Sequence, residues 1–435
     1  MKKMLFLAMA AAGMLTACSN EDNLGGNGEE LAGQPKIQLG VSSNVGVSTR
    51  VGGTGTVGDL EGAENVWAGQ TFWVYMLDKG EMTVAKRLTD DQGIAVGEIF
   101  NNMQFTAPTG VASGEATTKD GTIAYYPVQG NFDFWAYRTD GAAGETKDPD
   151  GTVRVKPDVK AYDADGAEIT EEDRIGEAVM RAVNVTIDGT NDIMVGKATP
   201  TNDELDKLLT HRDNYYSAYA ARKGVQPNIE FEHKLTRFTF KVVAGSEATG
   251  KGSNNVKPVS VEGISVESNT TGQLVVAYKE APENGVLTFT DSKQFLSIKE
   301  RANADQKNED LVALNPVELQ WDDDTQKGKE LSVGEALLVA PGESEYNVRL
   351  NLSQKAKDTV NDNLENVTPK DLVWNGVIKM NQDQKFEAGK SYEITITVYG
   401  LEEIRVTATL KPWENGGSIG IDDDADPDHT YTPGN

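Results

Sequence analysis

Apolar and polar residues alternate near the start of the chain. The apolar residues of this segment occupy odd positions: Ile37, Leu39, Val41, Val45 and Val47. Ser43 is the one polar break in the series, and the residues between are mostly polar or glycine. Because successive side chains of a strand point to opposite faces, this period of two predicts a β-strand with one apolar face.

A cleavage site is predicted directly after this strand. Arg50 and Val51 precede a glycine-rich run that does not easily continue a strand. An exposed arginine beside a flexible loop is a natural site for a trypsin-like protease. The alternative is an ordinary first strand followed by a loop.

Short runs rich in aromatic and β-branched residues follow along the chain, and this composition is typical of strands. They lie at 71–77 (TFWVYML), 131–137 (NFDFWAY), 229–243 (IEFEHKLTRFTFKVV), 337–339 and 348–352. Near the end, alternating runs at 392–398 and 404–410 flank Gly400 and predict a hairpin. Many short strands with glycine-rich turns indicate an all-β protein built of β-sandwiches.

One segment has helical spacing instead. Between Pro200 and Gly224 the apolar residues recur at helical intervals: Leu205, Leu208, Leu209, Tyr216 and Tyr219. Gly224 is a suitable C-cap. We therefore expect a short helical insertion, followed by a domain boundary between residues 225 and 226.

The amino terminus predicts export and lipidation. Lys2 and Lys3 form a positive region, and residues 4–14 are apolar but too few to span a bilayer. They lead into Leu-Thr-Ala-Cys, ending at Cys18, which resembles the lipobox of bacterial lipoproteins. Two or more acyl chains at Cys18 would give stable anchoring. The alternative is an ordinary signal peptide with a stray cysteine.

The charge and cysteine content of the chain limit the partners and cross-links that can be expected. The 41 basic and 68 acidic residues give a formal charge of −27, so nucleic acid is not an expected partner. Cys18 is the only cysteine, so no internal disulfide can form. The length of 435 residues suggests two or three domains.

Few residues suggest a metal site or a catalytic site. Acidic loops at 163–172 and 422–428 only partly resemble calcium loops, and a solvated acidic loop is the favoured interpretation. The histidines are scattered, at His211, His233 and His429, and His233 is expected to be a hydrogen-bonded structural residue. No nucleophile elbow, phosphate loop or dinucleotide fingerprint occurs. We therefore predict no catalytic residues, no metal site and no cofactor.

Several short motifs, in order, are similar to those of the fimbrillins of type V pili. They are Tyr125-Tyr126-Pro127 with Phe134-Trp135-Ala136-Tyr137, Asn191-Asp192-Ile193-Met194, His233-Lys234-Leu235-Thr236-Arg237, Leu337-Leu338-Val339, Ala388-Gly389-Lys390-Ser391-Tyr392 and Lys411-Pro412-Trp413. Together with the lipobox and Arg50, they make the chain resemble a fimbrillin precursor. The match is spread along most of the chain.

The resemblance implies two tandem transthyretin-like (Greek-key) β-sandwich domains with a short helical insertion. The expected divisions are a signal peptide (1–18), a tether and removable strand (19–50), an N-terminal sandwich (51–225) and a C-terminal sandwich (226–435). It also implies a surface lipoprotein of the outer membrane that a protease cuts after Arg50. Loss of the strand would remove on the order of ten kcal/mol of apolar burial and leave a groove for a neighbour's strand. The expected partners are other fimbrial subunits, of the same or a related kind, and a host or bacterial surface receptor.

The resemblance places the donor strand near the carboxyl terminus. The alternating residues there are Ile404, Val406, Ala408 and Leu410. The tail after Trp413 is acidic and glycine-rich instead of apolar, which leaves a stalk subunit and a minor or tip subunit both open.

A second hypothesis for the function is a monomeric glycan-binding surface lipoprotein, suggested by Trp67 and Trp321. A secreted hydrolase is the third, and it lacks a catalytic constellation.

Overall fold

The structure is a computed structural model. It describes residues 34–42, 67, 69–88, 95–109, 113–119, 121–145, 155–253, 256–301, 311–356, 370–380, 384–401 and 403–411. Within these residues the chain consists mainly of short strands, with a few short helices. This confirms the predicted all-β class and the helical insertion.

In the first half of the chain, the described residues form eleven strands. They are β1 (Leu39–Ser42), β2 (Thr71–Asp78), β3 (Lys86–Leu88), β4 (Ala95–Glu98), β5 (Met103–Thr106), β6 (Ser113–Thr118), β7 (Phe132–Arg138), β8 (Lys160–Tyr162), β9 (Glu168–Ile169), β10 (Met180–Thr186) and β11 (Met194–Lys197). The helices among the described residues are 3₁₀ turns at Glu172–Glu177 and Leu209–Asn214, and α1 (Asn202–Lys207), α2 (Ala218–Arg222) and α3 (Glu247–Lys251).

The second half forms the remaining strands. They are β12 (Asn228–Glu230), β13 (Glu232–His233), β14 (Thr236–Ala244), β15 (Val256–Asn269), β16 (Thr271–Tyr278), β17 (Leu287–Phe289), β18 (Lys293–Ser297), β19 (Lys299–Arg301), β20 (Leu311–Ala313), β21 (Val317–Glu318), β22 (Trp321–Asp322), β23 (Lys327–Gly328), β24 (Leu331–Val339), β25 (Glu345–Ala356), β26 (Lys370–Lys379), β27 (Ser391–Val398) and β28 (Ile404–Lys411).

The first sheet curls until its two ends meet. Its eight strands follow the order β12-β1-β6-β5-β2-β7-β11-β13. β13 pairs with β11 through Met194 and His233, and a bridge between Ala198 and Ile229 joins the chain beyond β11 to β12. Because β12 and β13 are nearly continuous in sequence, the sheet closes into a ring in which β1 is an internal strand.

β2 and β7 are buried on both faces, which explains why their sequences are almost continuously apolar. The inner residues of β2, such as Phe72 and Val74, pack inside the ring. The outer residues, such as Trp73 and Tyr75, pack against the second sheet and the rest of the core. A strand covered on both sides has no polar face, so its sequence shows no alternation.

The helical insertion closes one end of the ring. α1 begins with a capping box at Thr201, and α2 is followed by Gly224 with φ +75°, the conformation expected after a helix C-cap. Between the helices, the Tyr216 ring turns into the ring interior and contacts Phe134 edge-on at 5.8 Å. The predicted helical spacing is therefore interrupted, because Tyr216 (φ 53°) leaves the helical conformation to fill the core.

The second sheet joins strands from both predicted domains. Its order is β17-β16-β10-β8-β9, and β10 pairs along its whole length with β16. β12 and β13, which follow the predicted boundary at 225/226, complete the first sheet. The N-terminal layers therefore depend on residues up to Phe289.

The C-terminal part is a sandwich of two mainly antiparallel sheets. One has the order β24-β14-β27-β28 and the other β18-β15-β25-β26. Their facing side chains form a continuous core that includes Phe238, Leu350 and Ile394. β27 and β28 form the hairpin that the sequence predicted.

Candidate functional site: the β1 seam

The candidate site is the seam in the first sheet that β1 occupies. β1 is antiparallel to β6 on one side and parallel to β12 on the other. The Gly40 amide donates to the Pro227 carbonyl over 2.8 Å, and before the strand the Ile37 amide donates to the Ala124 carbonyl over 2.9 Å. Removing β1 would leave unpaired backbone groups on both neighbouring strands.

Three apolar side chains of this segment point into the ring. Ile37, Leu39 and Val41 are 5%, 1% and 0% exposed. They pack in the same cluster as Phe72 and Phe231. Val45 and Val47, which belong to the same predicted strand, lie outside the described residues.

Gln226 clamps the start of this segment. Its side-chain oxygen accepts from the Gln38 amide over 3.2 Å, and its side-chain nitrogen donates to the Lys36 carbonyl over 3.0 Å. The Tyr126 hydroxyl also donates to that oxygen over 3.4 Å. Sequence analysis missed Gln226, because a lone glutamine 188 residues from its partner carries no readable pattern.

A surface ion pair lies at the same place. Lys36 contacts Glu115 of β6 over 2.9 Å, and both side chains are more than two-fifths exposed. Exposed pairs of this kind contribute about 0–1 kcal/mol, so the buried apolar residues dominate the attachment of the segment.

The other predicted processing residues lie outside the described part of the chain. Cys18, the predicted lipid attachment site, and Arg50 and Val51, the predicted cleavage site, are among them. These assignments stay predictions. The structure places the predicted removable strand in a seam but does not describe its cleavage site.

The candidate donor strand β28 lies at the edge of its own sheet. It pairs with β27 from Ile404 to Lys411. Ile404, Val406 and Ala408 are half-buried against the C-terminal core, whereas Leu410 is 52% exposed. The alternation that the sequence predicted is therefore present, and one face of β28 is already in use within its own domain.

The two tryptophans that suggested a glycan-binding surface are not exposed on the surface. Trp67 is 2% exposed and contacts Phe231 edge-on inside the ring, so it cannot present its ring to a sugar. Trp321 is half-buried beside α3 and packs against the C-terminal core. Trp67 is therefore a core residue, which its position in the sequence alone does not reveal.

His233 is a buried, hydrogen-bonded residue, as the sequence analysis expected. Its Nδ1 lies 2.7 Å from Asp192 Oδ1, and both side chains are almost fully buried. Nearby, the Arg138 guanidinium donates to the Asp140 carboxylate over 2.6 Å. These contacts lie at the end of β7 and β11 where the C-terminal part begins, so they support the fold at that junction.

The described residues contain neither a metal-binding cluster nor a membrane-spanning helix. Among the described residues, no group of three or more histidine, cysteine and acidic side chains is placed to hold a metal ion. In the loop at 163–172, the Asp163 carboxylate instead accepts from the amides of Asp165 and Ala167. Across the same described ranges, no helix is both long and apolar enough to cross a membrane.

The profile of the fimbrillin-like family matches residues 49–413. Because this match covers most of the chain, the protein belongs to the fimbrillin-like family, as its motifs predicted. The membership supports a structural role in fimbriae and adhesion at the cell surface. Among proteins with curated descriptions, none is similar enough to count as a match.

Solved structures with some similarity come from several bacteria. A candidate cell adhesion protein from Parabacteroides distasonis has a TM-score of 0.40 at 9% identity, covering 88% of this chain and 98% of its own. One from Bacteroides uniformis has a TM-score of 0.36 at 16% identity, covering 87% and 98%. The fimbrial anchor protein Mfa2 from Porphyromonas gingivalis has a TM-score of 0.27 at 10% identity, covering 87% and 98%.

Proposed function

We propose that the protein is a fimbrial subunit that is exported as a lipoprotein and assembled by strand exchange. Cys18 carries the lipid that anchors the precursor at the outer membrane. A protease cuts between Arg50 and Val51 and releases the segment that contains β1. The opened seam then accepts a strand from a neighbouring subunit.

The observation that carries this proposal is the position of β1. It lies inside a closed ring, it precedes the predicted cleavage site in sequence, and Ile37, Leu39 and Val41 fill the ring interior. Burial of three such side chains contributes on the order of 5–9 kcal/mol. That is similar to the whole free energy of unfolding of a typical domain, so a processed subunit needs a replacement strand.

β28 supports the donor half of the proposal. Ile404, Val406 and Ala408 repeat the spacing of Ile37, Leu39 and Val41, and β28 is at a sheet edge, so it can leave without breaking a central strand. Leaving β27 has a cost, because three half-buried apolar side chains lose their contacts. Insertion into the ring restores that burial and adds pairing on both sides of the strand.

Processing can be tested by changing the cleavage site. Surface material from the wild type is expected to begin at Val51 and to form polymers that resist dissociation on unboiled gels. Arg50→Ala should leave a lipid-labelled monomer that begins at Cys18. Arg174→Ala is the matched control, because Arg174 is an exposed arginine that pairs only locally with Glu171 and Glu177. Polymer from Arg50→Ala at the wild-type level, or wild-type material that begins only at Cys18, would count against the proposal.

A further inference from the structure

The ring that β1 completes has two different ends. At one end lie the helical insertion and the loop before β7, and we call this end, residues 121–131 and 202–226, the capped pole. Ile37 pairs with Ala124 there, so the segment leading into β1 enters the ring at this pole. Asn131 also donates to Asn214 over 3.3 Å, which ties the two parts of the pole together.

The opposite end of the seam adjoins the protein's own C-terminal part. β12 continues through β13 into Leu235, whose carbonyl accepts from the Gly389 amide over 2.9 Å. The backbone amide of Arg237 then donates to the Lys390 carbonyl over 3.0 Å at the start of β14. The end of the seam that the protein's own C-terminal part does not occupy is therefore the capped pole.

The direction of β1 also indicates that the donor domain lies at the capped pole. β1 runs from the capped pole towards the C-terminal part, antiparallel to β6 and parallel to β12. A donor that restores these pairings must run in the same direction, with its amino end at the capped pole. β28 is attached to its own domain at its amino end, through the turn after Val398, so that domain must lie over the capped pole.

The surface of the capped pole suits a protein contact. Of the eight large apolar residues that are exposed in the described ranges, three lie here: Ile123 at 52%, Val128 at 39% and Leu209 at 72%. Leu209 is held in the left-handed region at φ 53°, where a leucine is strained, and its side chain faces solvent. Three exposed apolar side chains at one end of the ring are a feature of interaction surfaces.

The charge of the helical insertion favours the same conclusion. Residues 202–226 contain four acidic side chains (Asp203, Glu204, Asp206 and Asp213) and four basic ones (Lys207, Arg212, Arg222 and Lys223), so their net charge is 4 − 4 = 0. The whole chain carries −27. Two chains of this net charge repel each other, and a segment without net charge allows a closer approach.

From these observations we propose that the capped pole is the docking surface for the C-terminal domain of a second copy of this chain, the copy that donates its β28. The inference rests on the proposed function, because it assumes that β1 is replaced. It adds a contact outside the seam, made by Ile123, Val128 and Leu209, that positions the donor domain while its strand enters.

The contact can be tested without disturbing the seam. Leu209→Asp and Ile123→Asp place a charge on the exposed pole, and Val155→Asp is the matched control. Val155 is 45% exposed in the same half of the chain, next to Lys156, which donates to the Asn101 carbonyl, away from the pole. Both pole variants should be processed after Arg50 and melt like the wild type, yet form polymer about tenfold less efficiently. The control should polymerise normally, and wild-type polymer yields from both pole variants would overturn the proposal.

A second measurement identifies the contacting molecule. A photo-activated cross-linker on Leu209→Cys should join the processed chain to peptides from residues 226–435 of another copy. Cross-links only to lipid in the anchored precursor, or only to a different protein in the polymer, would overturn the proposal. If wild-type chains form no strand-exchanged polymer at all, the proposed function fails first, and the two failures are therefore distinguishable.

Discussion

Gly196 in β11 lies directly against the backbone of Glu230 in β12. A Cβ at position 196 would stand 2.3 Å from the Glu230 carbonyl oxygen and 2.6 Å from a side-chain carbon of Ile229. This close approach occurs where the first sheet closes into a ring, between the strand that follows β7 and the strand that borders the β1 seam. The backbone of β12 cannot move away without disturbing β1.

Gly196→Ala should therefore destabilise the ring. We expect a loss of about 1–3 kcal/mol in the free energy of unfolding, because the clash is with backbone atoms. Urea denaturation of the unprocessed chain measures it. Gly176→Ala is the control, since a Cβ there would meet nothing within 4 Å. Equal stability of the two variants would show that β11 and β12 do not pack this closely.

Leu39→Ala should affect only the unprocessed chain. Leu39 is 1% exposed, and truncating such a side chain typically lowers the free energy of unfolding by about 2–5 kcal/mol. The proposed cleavage after Arg50 would remove the residue, so processed wild type and processed variant would be the same molecule. Thermal melts of both forms test this, with the exposed Gln38→Ala as control. A precursor that melts like the wild type would show that β1 is not seated in the ring.

The buried contact between Asp192 and His233 should be energetically coupled. Removing either side chain leaves a buried polar partner, so Asp192→Ala and His233→Ala should each cost about 1–3 kcal/mol. The double variant should lose clearly less than the sum of the two. A double-mutant cycle in urea measures the coupling. Additive losses would mean that the 2.7 Å contact contributes little to stability.

The fold should lose stability in alkali. Burial raises the pKa of Tyr75 to about 12, although the nearby Arg181 opposes the shift, and burial also raises the pKa of Tyr137 well above its ordinary value. A tyrosine in an unfolded chain titrates near pH 10. The contribution of Tyr75 is therefore complete below about pH 10 and is lost as the pH rises through about 12.

Urea midpoints between pH 9 and pH 12 would test this, and the Tyr75 share of the loss should reach about 2–3 kcal/mol. Tyr75→Phe should be somewhat less stable at neutral pH and show a shallower fall in alkali, because one buried hydroxyl no longer ionises. Parallel curves for the two proteins would contradict the assignment.

Local patterns predicted much of the fold. The alternation of Ile37, Leu39 and Val41 gave a strand with one buried face, and the runs around Gly400 gave the hairpin of β27 and β28. Such patterns are readable because a strand's period of two acts over a few residues. The aromatic run at 71–77 indicated a strand, but only the structure shows that both of its faces are covered.

Long-range pairings could not be predicted. Nothing in the sequence of β10 indicates that its partner is β16, about 90 residues later, and the Gln226 clamp on Lys36 and Gln38 is equally remote. The same applies to the break at Tyr216, where filling the ring interior outweighs helical continuity. The division of the chain at 225/226 and the roles of Cys18 and Arg50 stay predictions.

The pairing of β10 with β16 also sets an order for folding during synthesis. The second layer that covers Trp73 and Tyr75 includes strands that end at Tyr278 and Phe289. A nascent chain that has emerged only as far as residue 225 therefore lacks both β12 and β13, which close the ring, and β16, which pairs with β10. The early half of the fold therefore cannot be completed until the later half has been translated.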